Sequence, residues 1–304
     1  MFFVFSPNVG QSQSFLIDLQ EVINVGKINS ITNKNAPNVI LGLTKQMYSY
    51  ASIKFVFMLK ILHQLGEYFI FISKVFRRPE KGKVFRELYV KELWKLGVGS
   101  IGIIVIISGF MGMVITIQTA SQINSGWIPA YLVGYTTRQS MILEFSPTML
   151  ALILSGKIGS NIASELGTMR VSEQIDALEI MGINSANYLV LPKITALMSI
   201  MPFLVILSMF IGIFFGYVIC ETVEIITPSD YITGIQYDFR PFDIVYALIK
   251  ATIFAFLITS VSSYYGYYAS GSALEVGRSS TKAVVYSSIA VLVFNYIITQ
   301  MLLI

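Results

Sequence analysis

Long stretches without a charged residue dominate the C-terminal two thirds of the sequence. Four runs of more than 20 residues contain no Asp, Glu, Lys or Arg, and a fifth apolar stretch is interrupted by Glu144 and Pro147. A helix that crosses a membrane needs about 20 mostly apolar residues. The pattern therefore predicts an all-α membrane domain over 96–304 with five spans: 96–118, about 135–164, 194–220, about 246–274 and 283–304.

The residues before the first predicted span follow a different pattern. Polar residues recur at helical spacing in the otherwise apolar segment 53–76: Lys60, His63, Gln64, Glu67 and Lys74. This spacing is typical of an amphipathic helix. We expect 51–95 to hold an amphipathic helix in the membrane interface and then a basic linker, with an ordinary sixth span as the alternative. Residues 1–50 show no periodicity and are expected to be a flexible tail or a start assigned too far upstream.

The composition excludes several classes of protein. Of the 304 residues, 55% are hydrophobic and only 12% are charged, against about 25% charged residues in a soluble domain. One cysteine, Cys220, cannot form an internal disulfide, and one histidine, His63, cannot assemble a metal cluster or a catalytic dyad by itself. We therefore expect no metal, no cofactor and no catalytic residue in this chain, and no nucleic-acid partner.

The distribution of basic residues predicts the orientation in the membrane. Ten of the 21 Lys and Arg residues lie in 54–95, whereas the segment between the first two spans contains only Arg138. Basic residues are retained on the cytoplasmic side of a membrane. The N-terminus is therefore expected in the cytoplasm, and the acidic loop 221–243 and the C-terminus on the outer side.

The segment between spans 2 and 3 predicts a short cytoplasmic helix at 172–182. Ser172 is a candidate N-cap and Gly182 is placed to end the helix. Ile175 and Leu178 share one face, and three acidic residues flank it: Glu173, Asp176 and Glu179. Such a helix is suited to docking in a groove on a soluble partner. The alternative is a helix lying on the bilayer, although an anionic leaflet would repel the acidic residues.

Charged and polar residues near the spans are the candidate lipid contacts. A lone carboxylate inside a membrane costs about 2.5–3.5 kcal/mol, so Glu144 is expected to face a polar cavity. Lys250 is the second candidate, and for both residues the alternative is a span end that reaches water. Gln118 and Arg138 flank the outer end of the first hairpin. Arg138 could bind a lipid phosphate or be an exposed interfacial arginine.

Small residues predict close helix packing at two places. Gly156, Gly159 and Ser160 line one face at the end of the second span. Gly212 and Gly216 form a pair four residues apart on the third span, for which packing inside one subunit is favoured over a dimer seam.

Several longer motifs resemble one family. The run ELGTMRVSEQIDALE at 165–179, followed by YLVLPK at 188–193, is similar to the signature of the MlaE (YrbE) family of ABC-transporter permeases. The similarity includes LEFSP at 143–147, GSALEVG at 271–277 and TKAVV at 281–285, and extends from about residue 61 to the C-terminus. Lys157 stands where many members have Arg, and Ser146 where many have Gly. The residues in these motifs are most similar to those of members from the Bacteroidota.

The resemblance implies an inner-membrane permease that moves phospholipid to or from a periplasmic MCE protein and so maintains outer-membrane lipid asymmetry. It implies a homodimer, cytoplasmic ATPase subunits that bind the ATP and, in some systems, a STAS-domain subunit. It also implies that Glu144 and Lys250 line the lipid cavity, for which Gln118 and Arg138 are further candidates by their position. By the same analogy the helix at 172–182 couples to the ATPase through Arg170, Glu173, Gln174, Ile175, Asp176, Leu178, Glu179 and Met181.

Two other functions remain open at this point. An ion-coupled secondary transporter would need charged pairs in several spans and an internal repeat, and the sequence shows neither. A scaffold that only tethers soluble partners would have no use for a carboxylate inside a span. An ATPase is disfavoured, because Ala151 and Ile158 occupy positions where a phosphate-binding loop requires Gly and Ser or Thr.

Overall fold

The computed structural model describes residues 62–77, 82–123, 129–223 and 226–303. By its internal contacts the chain divides into two units, Met1–Leu65 and Gly66–Ile304. The first unit is described only at 62–65, which are helical, so the following account concerns the second unit. The predicted N-terminal tail and the beginning of the predicted amphipathic helix lie outside the described residues.

All regular structure in the described ranges of this unit is helical. The helices are α1 (66–76), α2 (Gly82–Gln122), α3 (Leu132–Val171), α4 (Gln174–Ile180), α5 (Ser185–Val223), α6 (Pro228–Gln236), α7 (Pro241–Tyr267) and α8 (Ala273–Leu303). Five of them, α2, α3, α5, α7 and α8, are long and apolar enough to cross a membrane. The all-α membrane fold with five spans is thereby confirmed.

The helices differ from the predicted spans at their ends. Most continue beyond the charge-free runs, because charged residues outside the apolar part of a helix do not interrupt its backbone hydrogen bonds. The fourth spanning helix, α7, ends at Tyr267, before the predicted end of that span at about 274. Gly271, with φ +105°, lies in the turn before α8. Residues 275–282, expected to be a loop, therefore form the beginning of α8.

The predicted outer loop 221–243 contains a helix that the sequence analysis did not identify. In α6, Thr227 is the N-cap, its hydroxyl oxygen accepts from the backbone N–H of Asp230 at 3.3 Å, and Pro228 occupies the first turn. Proline is favoured there because its fixed φ suits a helix start and the N–H that it lacks has no helical partner.

The core is built around α7, which packs against α3, α5 and α8. Fully buried apolar residues on α7 include Tyr246, Phe254 and Ile258. On the other side of α5, α2 packs along its length. Glycines allow this approach, since a Cβ added to Gly112 would collide with the backbone of Gly212.

The α3 helix is widened into π turns at Met141–Met149 and Ser155–Gly159. The first of these segments contains Pro147, which has no N–H to give to the preceding turn. Insertions of this kind accommodate a residue that the regular α-helix rejects, and they are frequent at functional sites. Glu144 lies in this segment.

The short helix α1 packs against α7 near its end. Phe71 and Val75 are fully buried, and the ring of Phe71 contacts those of Tyr264, Tyr267 and Tyr268 at centroid distances of 5.3–5.8 Å. Side-chain amides at the start of α5 bind the last carbonyls of α1: Asn184 donates to Lys74 and Arg77, and Asn187 to Val75. Large apolar residues on the opposite side, such as Phe69 and Ile70, are exposed. That this helix lies in the membrane interface stays a prediction.

Candidate functional site

A buried lysine and a partly exposed carboxylate meet between α7 and α3. The Nζ of Lys250 lies 2.7 Å from Oε1 of Glu144 and also donates to the carbonyl oxygen of Leu143 at 3.3 Å. The same ammonium lies 4.5 Å from the ring centroid of Tyr246, one turn earlier on α7. The Lys250 side chain is 0% exposed. The alternative in which this lysine reaches water at a span end is therefore wrong.

Three neutral side chains complete this polar cluster. Oε2 of Glu144 accepts hydrogen bonds from Thr148 Oγ1 at 3.1 Å and from Asn295 Nδ2 at 3.2 Å. Thr299 Oγ1 lies 3.5 Å from Oε1, and its hydroxyl is hydrogen-bonded to that of Tyr246 at 2.9 Å. The α8 helix thus contributes Asn295 and Thr299. We call these six residues, Glu144, Thr148, Tyr246, Lys250, Asn295 and Thr299, the outer cluster.

The outer cluster lies deep between apolar helices. Glu144 is 12 residues from the start of α3 (144 − 132) and Lys250 is 9 from the start of α7 (250 − 241). At about 1.5 Å per residue these positions are roughly 14–18 Å from the starts of the helices, a distance similar to half of a hydrocarbon core of about 30 Å.

The two charges of the pair differ in their access to the surroundings. Lys250 is enclosed, but the Glu144 side chain is 41% exposed at the surface of the single chain. An ionised carboxylate is costly to expose to lipid tails. The outer cluster must therefore face a polar ligand, water or another protein surface. Chemically it offers carboxylate oxygens, an amide and hydroxyls, which suit a polar headgroup with hydrogen-bond donors.

The sequence analysis identified Glu144 and Lys250 but not the neutral members of the cluster. A signal was present, since Thr148 follows Glu144 by four residues, and Asn295 and Thr299 are four apart in a predicted span. These spacings place each pair on one helix face. That the two faces meet depends on the packing of α3 against α8.

Arg138 is separate from the outer cluster. It is 2% exposed, and its guanidinium donates to the carbonyl oxygens of Ile235 at 2.6 Å, Tyr237 at 3.0 Å and Asp238 at 3.2 Å. The alternative of an exposed interfacial arginine is wrong, because the side chain is buried and its guanidinium binds the carbonyl oxygens at the end of α6. Gln118 is exposed near the end of α2 and is likewise not part of the cluster.

The predicted small-residue contacts are present at some positions. A Cβ on Gly159 would stand 2.8 Å from Ser262 Oγ of α7, and one on Gly212 or Gly216 would collide with side chains of α3, α6 and α2 in the same chain. At Gly156 nothing in the described chain lies within 4 Å of that point, so the close contact expected there is missing. Ser160 instead donates to the carbonyl oxygen of Gly156 at 2.5 Å.

A second set of charges lies at the opposite end of the bundle. Lys193 of α5 pairs with Glu92 of α2 at 2.6 Å and with Glu165 of α3 at 2.9 Å. Lys95 of α2 also pairs with Glu165, at 2.8 Å. These four residues, which we call the inner network, connect three spans next to α4. The sequence analysis did not single out any of them as an ion pair.

The predicted docking helix is present as α4, but its cap differs from the prediction. The Ser172 hydroxyl donates back to the carbonyl oxygen of Thr168 at 2.8 Å, and Glu173, with φ +59°, stands directly before the helix. Ser172 therefore does not act as the N-cap. At the other end Gly182, with φ +77°, and Ile183 donate to the carbonyl oxygens of Glu179 and Leu178, which closes the helix.

The apolar face of α4 is used within the chain. Ile175 is 0% exposed in the core, and Leu178 is half-buried. Asp176 is paired with Arg170 at 2.5 Å. Glu179 Oε1 accepts from Ser185 and Tyr267, both at 2.8 Å. The residues that point away from the chain are Glu173, Gln174, Ile180 and Met181, with Ile180 88% exposed and Met181 65%.

No group of three or more His, Cys, Asp or Glu side chains in the described ranges is arranged to hold a metal ion. Cys220 is buried, and its thiol donates to the carbonyl oxygen of Gly216 at 3.2 Å.

Comparison with known proteins assigns the chain to a family. Residues 89–301 match the family described as Permease MlaE. The chain is 33% identical over 247 residues to a "Probable ABC transporter permease protein" of Rickettsia bellii, covering 80% of this chain and 93% of the relative. It is 32% identical over 235 residues to the "Probable ABC transporter permease protein slr1045" of Synechocystis, covering 77% and 89%.

A plant protein is also similar. The "Protein TRIGALACTOSYLDIACYLGLYCEROL 1, chloroplastic" of Arabidopsis thaliana is 30% identical over 231 residues, covering 76% of this chain and 66% of the relative. The long helices, the apolar surface and these matches agree. The chain belongs to the MlaE permease family and is a multi-pass, non-catalytic membrane subunit of the ABC-transporter type, whose ATPase is a separate subunit.

Proposed function

We propose that this permease moves phospholipid between the inner membrane and a periplasmic MCE protein and thereby maintains outer-membrane lipid asymmetry. The observation that carries the proposal is the outer cluster, in which Glu144 is 41% exposed about a third of the way along the apolar helix α3. A lipid headgroup brought to this depth needs polar partners, and the cluster supplies them. The name of the Arabidopsis relative contains that of a lipid, which agrees with a lipid substrate.

The functional unit in this proposal is a homodimer. The exposed side of Glu144 and the neighbouring face of α8, where Leu292, Val293 and Tyr296 are exposed, would lie toward the second copy. A cavity between two copies shields the carboxylate from lipid tails and leaves it open to a headgroup. The permease subunit holds no cofactor of its own, and ATP is bound by the partner ATPase.

The distribution of basic residues supports the orientation in the inner membrane, with the N-terminus and α4 in the cytoplasm and α6 and the C-terminus in the periplasm. In this arrangement the MCE protein meets the α6 side. The ATPase meets α4, and a STAS-domain subunit, where the system has one, is also cytoplasmic.

The first test is to purify the chain with its co-expressed genomic neighbours in mild detergent and to analyse the extracted lipid by mass spectrometry. We expect an ATPase at equal stoichiometry and bound phospholipid. Glu144→Gln should retain the ATPase and lose the phospholipid bound at the outer cluster, so that less phospholipid is extracted than from the unmodified complex. Glu275→Gln, which removes an exposed carboxylate paired with Arg278, is the matched control. Purification without phospholipid would contradict the proposal.

The second test concerns the ATPase contact. Because Ile175 and Asp176 are engaged within the chain, the free surface of α4 is formed by Glu173, Gln174, Ile180 and Met181. Ile180→Glu combined with Met181→Glu should abolish co-purification of the ATPase and leave the fold and membrane insertion intact. Val171→Glu, an exposed apolar position outside α4, is the control. Retained ATPase in the double variant would exclude docking through this surface.

A further inference from the structure

A cleft of about 230 Å³ lies beside the inner network. It is formed where the N-terminal part of α2 meets the end of α3 and the beginning of α5, next to α4. It shares no lining residue with the outer cluster, which lies toward the other end of the same bundle. The cleft therefore needs an explanation separate from that of the proposed substrate site.

The charges of the cleft are ordered by depth. At the bottom, Lys193 and Glu92 have side chains that are 4% and 11% exposed and that pair with each other. Glu165, 34% exposed, is held between Lys193 and Lys95. At the mouth, the Lys95 side chain is 48% exposed and Lys91 is exposed.

The accessible side of the cleft is therefore basic. Three lysines face two carboxylates, and both carboxylates are already paired. One positive charge is left over. Each ammonium also has three N–H donors, so Lys95 keeps donors beyond its bond to Glu165, and Lys91 makes no ion pair in the described part of the chain. An excess positive charge and unused N–H donors are the features that bind an anion.

The remaining wall of the cleft is apolar. Leu88 of α2, Met169 of α3, and Leu189 and Pro192 of α5 line it. The neighbouring Trp94 is 69% exposed, and exposed tryptophans of membrane proteins are enriched at the level of the headgroups. A basic mouth beside an apolar wall at this level matches a lipid better than a free anion. Basic pockets between spans on the cytoplasmic side are typical sites for anionic headgroups.

We propose that this cleft binds the phosphate group of an anionic phospholipid, with Lys91 and Lys95 as its contacts and the apolar wall along an acyl chain. The bound lipid is a fixed ligand between α2, α3 and α5 and is distinct from transported lipid. The inner network positions Lys95 for this contact. The proposal rests on the proposed orientation, with this end of the bundle at the headgroups of the cytoplasmic side, and does not depend on the proposed transport function.

The test measures lipid retained by the complete purified complex in nanodiscs that contain both phosphatidylglycerol and phosphatidylcholine. Native mass spectrometry should detect phosphatidylglycerol that resists delipidation. A lysine near a membrane surface contributes roughly a fivefold change in affinity, so Lys91→Gln should weaken retention about fivefold. Lys91→Gln with Lys95→Gln should weaken it more than about tenfold.

The control removes the same charge from the same helix outside the cleft. Lys83 and Arg86 are exposed, and Lys83→Gln with Arg86→Gln should leave retention unchanged. Equal loss in the control would overturn the proposal, as would unchanged retention in Lys91→Gln. Stabilisation of the complex by inorganic phosphate to the same extent would assign the cleft to a free anion instead. Equal retention of phosphatidylcholine would exclude recognition of the anionic charge.

Discussion

The outer cluster and the inner network both contain a buried lysine bound to glutamate, but they leave different groups accessible. In the outer cluster Lys250 is 0% exposed and Glu144 is 41% exposed. In the inner network Lys193 is 4% exposed, and the glutamate that it binds most closely, Glu92, is 11% exposed. The first arrangement keeps a carboxylate available to a ligand, whereas the second encloses its closest pair and leaves Lys95, 48% exposed, as the accessible charge.

This difference separates two uses of charge in a membrane protein. The inner network joins α2, α3 and α5 through direct ion pairs, and breaking a buried pair leaves a charge without compensation. The outer cluster surrounds its carboxylate with neutral donors as well, so Glu144 keeps partners when one of them changes. We infer that the inner network serves mainly stability and the outer cluster mainly transport.

The largest loss of stability is expected from Lys193→Met. The substitution leaves Glu92 buried without its cation, which should lower the free energy of unfolding by about 3–5 kcal/mol. The measurement is a denaturant titration of the purified chain in detergent micelles. Adding Glu92→Leu should recover most of the loss, because an apolar pair replaces the unpaired charge. A Lys193→Met chain as stable as the unmodified one would remove the basis for the comparison.

Lys250→Met should reduce stability less and transport more. Glu144 retains the hydrogen bonds of Thr148 and Asn295, so the expected cost is about 1–3 kcal/mol in the same titration. Lipid transfer should fall at least about tenfold, equivalent to about 1.4 kcal/mol in the limiting step. If transfer by this variant falls only in proportion to the amount of folded protein, the two regions would not differ in function.

A packing variant outside both charged regions measures how much the uncharged contact between α2 and α5 contributes to stability. Gly112→Ala places a Cβ against the backbone of Gly212, between α2 and α5. Overpacking of this kind costs about 1–3 kcal/mol. Gly102→Ala, on the same helix with nothing within 4 Å, should be neutral or stabilising by up to about 1 kcal/mol. Similar stability of the two variants would show that α2 and α5 can separate at little cost.

The smallest effect is expected from Lys95→Met. This lysine is 48% exposed in its pair with Glu165, and Lys193 remains bound to the same carboxylate. Exposed ion pairs contribute about 0–1 kcal/mol, so the titration should barely change. A loss as large as that of Lys193→Met would mean that the inner network acts as one unit rather than through its buried pair.

The sequence predicted the number of spans and the two intramembrane charges because both follow from the cost of transfer into lipid. Apolar length and unexpected charge can be recognised without knowing the fold. The partner of each charge could not be predicted in the same way. Lys250 and Glu144 are 106 residues apart, and their contact depends on how α7 packs against α3.

The wrong predictions share a physical cause, because each considered a polar side chain without the groups that it contacts in the folded protein. The position of Arg138 near the end of a span is typical of an interfacial arginine, but its side chain binds the carbonyl oxygens at the end of α6. Ser172 is a good N-cap residue by type, but its hydroxyl binds the preceding turn. The α6 helix itself carried a signal, Thr227 followed by Pro228 and Asp230, within a segment interpreted only by its acidic charge.

The most direct test of the account is ATP-dependent lipid transfer by the reconstituted complex carrying Glu144→Gln. The substitution keeps the size of the side chain and removes the exposed charge of the outer cluster. The account predicts that transfer per assembled complex falls at least about tenfold, about 1.4 kcal/mol, while ATP hydrolysis and assembly are retained and Glu275→Gln remains active. Because Lys250 is left buried without its carboxylate, the free energy of unfolding should also fall. Unchanged lipid transfer by Glu144→Gln would contradict the account.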